Sequence, residues 1–287
     1  MNIWLVGARP RTLPAAVVPV AVGAALCAGE SEAIWWRAIP AFGVSLLLQV
    51  GVNYANDYSD GIRGTDDQRV GPTRLVASGL APASRVRTAA LVAFAGAAAL
   101  GFVLAWSTTW WLLAVGAAAL AAGWFYTGGR HPYGYFGFGE IFVFVFFGLV
   151  ATVGTTYVIL ERLLALSWLL GSAVGSLACA LLVVNNLRDI PTDAAVGKKT
   201  LAVRLGDAAT RQLYQMLVVA TLLLGVLGSV RNPGCIAVVA AVPFVIPPLR
   251  AVRSGASGAQ LVEVLGRTGR AHVVVGALLC LGLVLGR

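Results

Sequence analysis

The stretch IWWRAIPAFGVSLLLQVGVNYANDYSDGIRGTDDQRVGPTR, residues 34–74, decides the fold. It opens on a Trp pair, runs through an apolar segment long enough to cross a bilayer, and ends abruptly in Asp57, Asp60, Asp66 and Asp67. A hydrocarbon core of ~30 Å takes about 20 apolar helical residues, and Trp favours its edges. Carboxylates at such an edge are costly to keep and point to function. The chain has twelve acidic residues, so a third of them lie in this one segment. A second segment, NNLRDIPTDAAVGKKTLAVR at 185–204, repeats the theme. There another apolar run ends in Asp189 and Asp193, followed by Lys198 and Lys199, the two lysines of the chain.

Outward from these segments, apolar runs and polar turns alternate through all 287 residues, of which 59% are hydrophobic and 11% charged. A soluble domain carries roughly 25% charged residues. Runs near 20 residues, without the ten-residue alternation of barrel strands, predict helices in a membrane. Nine spans are expected, near 12–29, 34–56, 86–106, 109–127, 138–160, 167–187, 212–230, 234–252 and 271–286. Ala- and Gly-rich runs such as Ala95–Ala99 and Ala117–Ala122 suit close helix approach in lipid. The expected fold is all-α: a polytopic bundle of about nine transmembrane helices around a central cavity, a single domain over 1–287, with acidic loops at 53–87 and 185–211.

The net charge of +9 follows the spans. Seventeen Lys and Arg residues fall at the N-terminus and in the loops after spans two, four, six and eight, against Arg37, Arg162, Arg231 and Arg287 on the other side. Basic residues mark the cytoplasmic side. The N-terminus and both acidic loops are therefore expected in the cytoplasm, in a multi-pass protein of the cytoplasmic membrane. Topology and an anion site account for the charge, and nucleic acid has no place in it. Cys27, Cys179, Cys235 and Cys280 lie singly in apolar runs and read as packing residues. The first apolar run reads as a span, without a cleavage site.

Carboxylates at i, i+3 or i+4 share a helix face. Asp57 with Asp60, and Asp189 with Asp193, fit that spacing. Two such faces opposed across a cavity call for a cation between them. A hard divalent ion with oxygen ligands suits them, and Mg²⁺ leaves positions open for phosphate oxygens. Asn53, Asn56, Asn185 and Asn186 add amide oxygens. Arg63, Arg69, Arg74, Arg188, Lys198, Lys199 and Arg204 are the residue types that clamp a polyanion. The combination predicts a diphosphate site beside an apolar acceptor for its tail.

Arg9 and Arg11 either reach the diphosphate or anchor the N-terminus. In WFYTGGRHPYGYFGFGE, 124–140, Tyr126, Arg130 and Tyr133 stand at a Gly-rich turn beside the clusters, placed to touch substrate or to shape the turn. Glu140 is a polar contact or compensates a helix N-terminus. Six phenylalanines between Phe136 and Phe147 line a chain tunnel or face lipid. His131 reads as a turn residue and His272 as an interface residue.

At these residues the chain resembles the UbiA superfamily of intramembrane aromatic prenyltransferases. Four segments, RPRTLPAAVVPV at 9–20, NDYSDGIRGTD at 56–66 with GPTR at 71–74, YTGGRHPYGYFGFGE at 126–140 and NNLRDIPTDAAVGKKTLAVRLG at 185–206, resemble its 1,4-dihydroxy-2-naphthoate (MenA-type) branch. The superfamily's first motif, NDxxDxxxD, is matched by Asn56, Asp57 and Asp60; its last position is Gly64, and an Asp follows at Asp66. The second, DxxxD, is matched by Asp189 and Asp193. The resemblance implies Mg²⁺ held by Asn56, Asp57, Asp60, Asp189 and Asp193. Diphosphate is expected at Arg11, Arg63, Arg74, Arg188, Lys198 and Lys199, and the acceptor at Asn53, Tyr126, Arg130 and Tyr133. The implied reaction joins a polyprenyl diphosphate to 1,4-dihydroxy-2-naphthoate, with loss of CO₂ and diphosphate. Another acceptor, such as 4-hydroxybenzoate, a haem or a chlorin, remains open. So does a cation-coupled transporter, although its acids usually lie nearer the midplane.

Overall fold

A computed structural model describes residues 2–65 and 73–286. Asp66, Asp67 and Arg69 lie outside the described residues. The described chain is helical: α1 Ile3–Ala8, α2 Pro14–Ala25, α3 Ala38–Ile62, α4 Ala83–Ser107, α5 Trp111–Phe125, α6 Gly139–Val143, α7 Ala151–Leu160, α8 Ala165–Ala195, α9 Leu201–Leu227, α10 Val242–Arg253 and α11 Ala259–Leu285. A π-helical turn, Phe144–Val150, joins α6 to α7, and a 3₁₀ turn, Pro233–Ala241, leads into α10. Among the described residues seven helices are long and apolar enough to cross a membrane, and α2 and α5 are shorter apolar helices. The protein is a multi-pass membrane protein, and these nine segments follow the nine apolar runs of the sequence.

The first and fourth runs are shorter as helices than as apolar sequence. In the first, Pro10–Thr12 forms a 3₁₀ turn and the regular helix begins at Pro14, whose missing N–H costs nothing at a helix start. In the fourth, α5 has 15 residues, about 22 Å at ~1.5 Å per residue, against a hydrocarbon core of ~30 Å. By contrast α8 has 31 residues and reaches about 46 Å, so its polar end extends beyond the apolar layer.

The helix α8 is the axis of one half of the bundle, packed by α9, α11, α2 and the π-helical turn. Its approach to that turn depends on glycine. A Cβ at Gly148 would stand 2.7 Å from the Gly175 Cα and 2.9 Å from the Gly171 carbonyl oxygen. Lipid supplies no hydrophobic drive between helices, so such close backbone contact is what binds them. In the other half α3 packs against α4, and α2 bridges the halves by touching α3, α7, α8 and α11.

At the rim far from the acidic clusters, buried Arg37 joins three segments. Its guanidinium donates to the carbonyls of Val158 (3.0 Å) and Ser107 and pairs with Glu161 at 2.6 Å.

Candidate functional site

A cavity of about 1190 Å³ opens between α3 and α8. Its apolar wall comes from α2, α4, α5, α6 and the π-helical turn, with Phe102, Leu113, Phe142, Phe146 and Phe147 among its members. Its polar wall is built on two helix faces. On α3, Gln49, Asn53, Asn56 and Asp60 follow one another at helical spacing and all line the cavity. On α8, Asn185, Asn186 and Asp189 do the same. The two acidic segments thus face one space, from helices that the sequence separates by over a hundred residues.

Within this frame the carboxylates differ. Asp60 accepts a hydrogen bond from the Tyr135 hydroxyl (2.8 Å), and its second oxygen lies 3.9 Å from the Lys198 ammonium. Asp193 lies 3.5 Å from the same ammonium. Lys198 therefore occupies the point where positive charge is favoured by both helices. Asp189 is gripped by Arg188 through two parallel bonds of 2.7 and 2.9 Å, and Arg188 also donates to Asn185. Asp57 is fully buried and is not among the residues that line the cavity. Its oxygens accept the backbone N–H groups of Leu75 (2.8 Å) and Val76 (3.0 Å), where the chain returns from the loop. The pairing of Asp57 with Asp60 expected from spacing is therefore replaced by a division: Asp57 faces the loop and Asp60 the cavity.

The cations divide as well. Arg9, Arg11, Arg74 and Lys198 line the cavity. Arg63 does not: it donates to the carbonyls of Thr127 and Gly129, and its guanidinium stands 5.4 Å from the Tyr135 ring centre. Arg188 is spent on Asp189. Arg130 and Lys199 are exposed and outside the cavity lining, and the Lys199 N–H donates to the Tyr135 carbonyl. Carbonyl oxygens without helical partners attract guanidinium groups, and spacing alone does not reveal which Arg they will capture.

Of the residues expected to touch an acceptor, Asn53, Tyr126 and Tyr133 line the cavity. Tyr126 and Tyr133 meet edge to face at 5.5 Å, and the Tyr133 hydroxyl donates to the Ala122 carbonyl. The amide of Asn53 is fully engaged: its NH₂ donates to the Ala8 carbonyl (2.8 Å) and Thr12 Oγ1 (3.1 Å), and its oxygen accepts from Gln49 (3.2 Å). The oxygen of Asn56 accepts from the Thr127 hydroxyl, and the Asn186 NH₂ donates to Glu140. Tyr135 was not singled out from the sequence. It sits two residues beyond Tyr133 in the same Gly-rich turn, with Lys198 at 5.1 Å from its ring. Burial, and then Asp60, raise its hydroxyl above the ordinary tyrosine range. Burial, followed by Glu140, does the same at Tyr126, and burial alone at Tyr133. All three phenols stay protonated donors at neutral pH.

Among the described residues no group of three or more His, Cys, Asp or Glu side chains forms a ready metal cluster. The donor set nevertheless suits a hard divalent cation, because Asp60, Asp189 and Asp193 offer oxygen alone around one space. Lys198 already marks the place between Asp60 and Asp193 where a positive charge is favoured.

The profile described as the UbiA prenyltransferase family matches residues 16–258. The 1,4-dihydroxy-2-naphthoate octaprenyltransferase of Mycobacterium tuberculosis (strain ATCC 25618 / H37Rv) is 53% identical over 275 residues, covering 94% of this chain and 93% of that one. The protein of the same name from Escherichia coli (strain K12) is 35% identical, covering 76% and 73%. Among solved structures, the apo form of a UbiA homolog from Aeropyrum pernix K1 superposes with a TM-score of 0.72 at 16% identity, over 92% and 96% of the two chains. A UbiA homolog from Archaeoglobus fulgidus bound to GPP and Mg²⁺ gives 0.67 at 14% identity, over 98% and 99%.

Proposed function

The chain belongs to the UbiA prenyltransferase family, and from that premise we propose that it transfers a polyprenyl group from polyprenyl diphosphate to 1,4-dihydroxy-2-naphthoate. CO₂ and diphosphate are released, and the product is a demethylmenaquinol. One observation carries this reading: two acidic helix faces meet at one end of a large cavity whose remaining wall is apolar. A lipid diphosphate has this same polarity, a multiply charged head and a hydrocarbon chain. The high identity to the mycobacterial relative over nearly the whole chain supports the naphthoate as acceptor.

Asp60, Asp189 and Asp193 are the residues that would hold Mg²⁺, which supplies charge neutralisation to the departing diphosphate. Lys198 then moves from its carboxylates to the phosphate oxygens, joined by Arg74 and Arg11 from the cavity wall. Arg188 holds Asp189 in place through its two parallel hydrogen bonds. The C1–O bond of the prenyl group breaks, its electron pair leaving with the diphosphate. The ring carbon that bears the carboxylate attacks C1, and the bond to CO₂ breaks, returning its pair to the ring. The apolar wall excludes water, which would otherwise trap the allylic cation as an alcohol. Tyr126, protonated, is a donor for a ring oxygen, and Tyr133, whose hydroxyl donates to the Ala122 carbonyl, lends its ring to the same wall.

The purified protein with Mg²⁺, a polyprenyl diphosphate and acceptor labelled at the carboxyl carbon tests the scheme. Label is expected in CO₂ and none in the lipid; a labelled prenylated product overturns it. The seventeen-to-four division of basic residues supports a cytoplasmic N-terminus and site loops, in the cytoplasmic membrane. An Arg130→Cys variant in a cysteine-free background tests this, since Arg130 is exposed. Labelling of intact cells by an impermeant thiol reagent from outside contradicts the orientation.

A further inference from the structure

The segment Ala8–Thr12 lies between α1 and α2 and forms part of the cavity wall. Its central residue, Arg9, has φ 52° and ψ 73°, a left-handed backbone that residues with a side chain rarely adopt. Such a conformation is uphill and persists only where the surroundings enforce it. Here Asn53 enforces it from both sides. The Asn53 side-chain NH₂ donates to the Ala8 carbonyl, and the Arg9 guanidinium donates to the Asn53 carbonyl at 3.2 Å. Thr12 accepts from Asn53 and Gln49 and donates to the Arg9 carbonyl. Four polar groups in an otherwise apolar part of the molecule therefore hold one arginine against the cavity.

Among the described residues the charge of this arginine has no acidic partner, whereas Arg188 pairs with Asp189 and Lys198 lies by Asp60 and Asp193. Along α3 the tie to Asn53 is seven residues, about 10 Å of rise, deeper than Asp60. The diphosphate end of the cavity is thus one place and Arg9 another, lower on the same wall. A guanidinium at that level has fork geometry for a carboxylate.

Building on the proposed reaction, we infer that Arg9 is the specificity-determining residue that binds the carboxylate of the aromatic acceptor. Asn53, Gln49 and Thr12 are its positioning residues. The pairing selects acceptors that carry a ring carboxylate. It also keeps that group ionised, the form from which CO₂ can depart. Arg130, expected from the sequence to touch the acceptor, is outside the cavity lining, and Lys198 lies at the diphosphate end by Asp60 and Asp193.

The test measures binding and turnover with wild type, Arg9→Gln and Arg9→Lys, each purified in detergent under anaerobic conditions. Probes are 1,4-dihydroxy-2-naphthoate and 1,4-naphthoquinol, which lacks the carboxylate. Loss of a charged hydrogen bond predicts a roughly 10- to 100-fold rise in Kd and KM for the naphthoate in Arg9→Gln, with a smaller rise in Arg9→Lys. KM for the prenyl diphosphate and Kd for the naphthoquinol are expected to stay as in wild type. A rise in KM for the prenyl diphosphate instead assigns Arg9 to the diphosphate and overturns the inference. Equal loss of both aromatic probes overturns it too, as a purely structural effect. If wild-type protein binds no naphthoate, the acceptor assignment falls and the inference with it; if wild type binds it and Arg9→Gln binds as well, the inference alone falls.

Discussion

On α3, Asp57 is buried in the amides of Leu75 and Val76 while Asp60 meets Tyr135 and Lys198; on α8, Asp189 is gripped by Arg188 while Asp193 meets Lys198. The two helix ends carry the same residue types at almost the same spacing. In each, one carboxylate is tied down by its own neighbourhood and the other faces the Lys198 ammonium. The ties are of different kinds. The one on α3 is made to backbone N–H groups and folds a loop, whereas the one on α8 is made to a side chain and leaves Asp189 in the cavity wall. Matching motifs therefore do not mean matching duties, and Asp57 and Asp189 are the pair to separate.

The largest effect is expected from Asp60→Asn, Asp189→Asn and Asp193→Asn. Each lowers kcat by about 100-fold or more, read as pyrophosphate release; the melting temperature stays close to wild type in Asp60→Asn and Asp193→Asn and falls in Asp189→Asn, which leaves buried Arg188 without its charge partner. Asp57→Asn breaks the symmetry of that set. It weakens two buried hydrogen bonds to a charged acceptor, so about 1–3 kcal/mol of stability is lost and the melting temperature falls. Below that melting point its remaining kcat should exceed that of Asp60→Asn. Inactive Asp57→Asn protein with wild-type melting would return Asp57 to the reacting groups and erase the distinction.

A smaller effect is expected from Tyr135→Phe, which removes a hydrogen bond to Asp60 worth about 1 kcal/mol and should slow turnover several-fold. The same phenol gives a pH signature. Its hydroxyl, like those of Tyr126 and Tyr133, is raised in the folded protein by burial first. The unfolded chain then loses these protons at lower pH than the fold does. The stability they contribute is complete below about pH 10 and declines as pH rises beyond it. Activity between pH 6 and about 9 should show no tyrosine titration; a break there that vanishes in Tyr135→Phe would contradict the burial of that hydroxyl.

The spans and the polar ends were legible in the sequence because lipid leaves few options: backbone groups must pair within helices, and charge must sit at the edges. Less was legible where one side chain had several partners within reach. Helical spacing puts Asp57 and Asp60 on one face of α3, but only the returning chain at Leu75 shows which of the two is closed by amides. Arg63 and Arg188 read as phosphate ligands by type, yet Arg63 is captured by the carbonyls of Thr127 and Gly129, and Arg188 by the next residue, Asp189. Tyr133 and Tyr135 stand in one aromatic turn, and nothing local distinguishes the tyrosine on the cavity wall from the one on Asp60. The left-handed Arg9 has no Gly to announce it, and its conformation follows from Asn53, far along the chain.

Arg37 carries a mechanical consequence. By fastening Val158, Ser107 and Glu161 at the distal rim, it makes that end of the bundle behave as a hub, with the segments that meet there fixed in relative height and angle. Displacements of helices fixed at one end grow with distance from it. The widest excursions then fall at the opposite rim, where Lys198 and the Asp-bearing ends face each other across loose contacts of 3.5 and 3.9 Å. The molecule has the build of a pair of tongs, with its rivet on one side of the membrane and its jaws on the other.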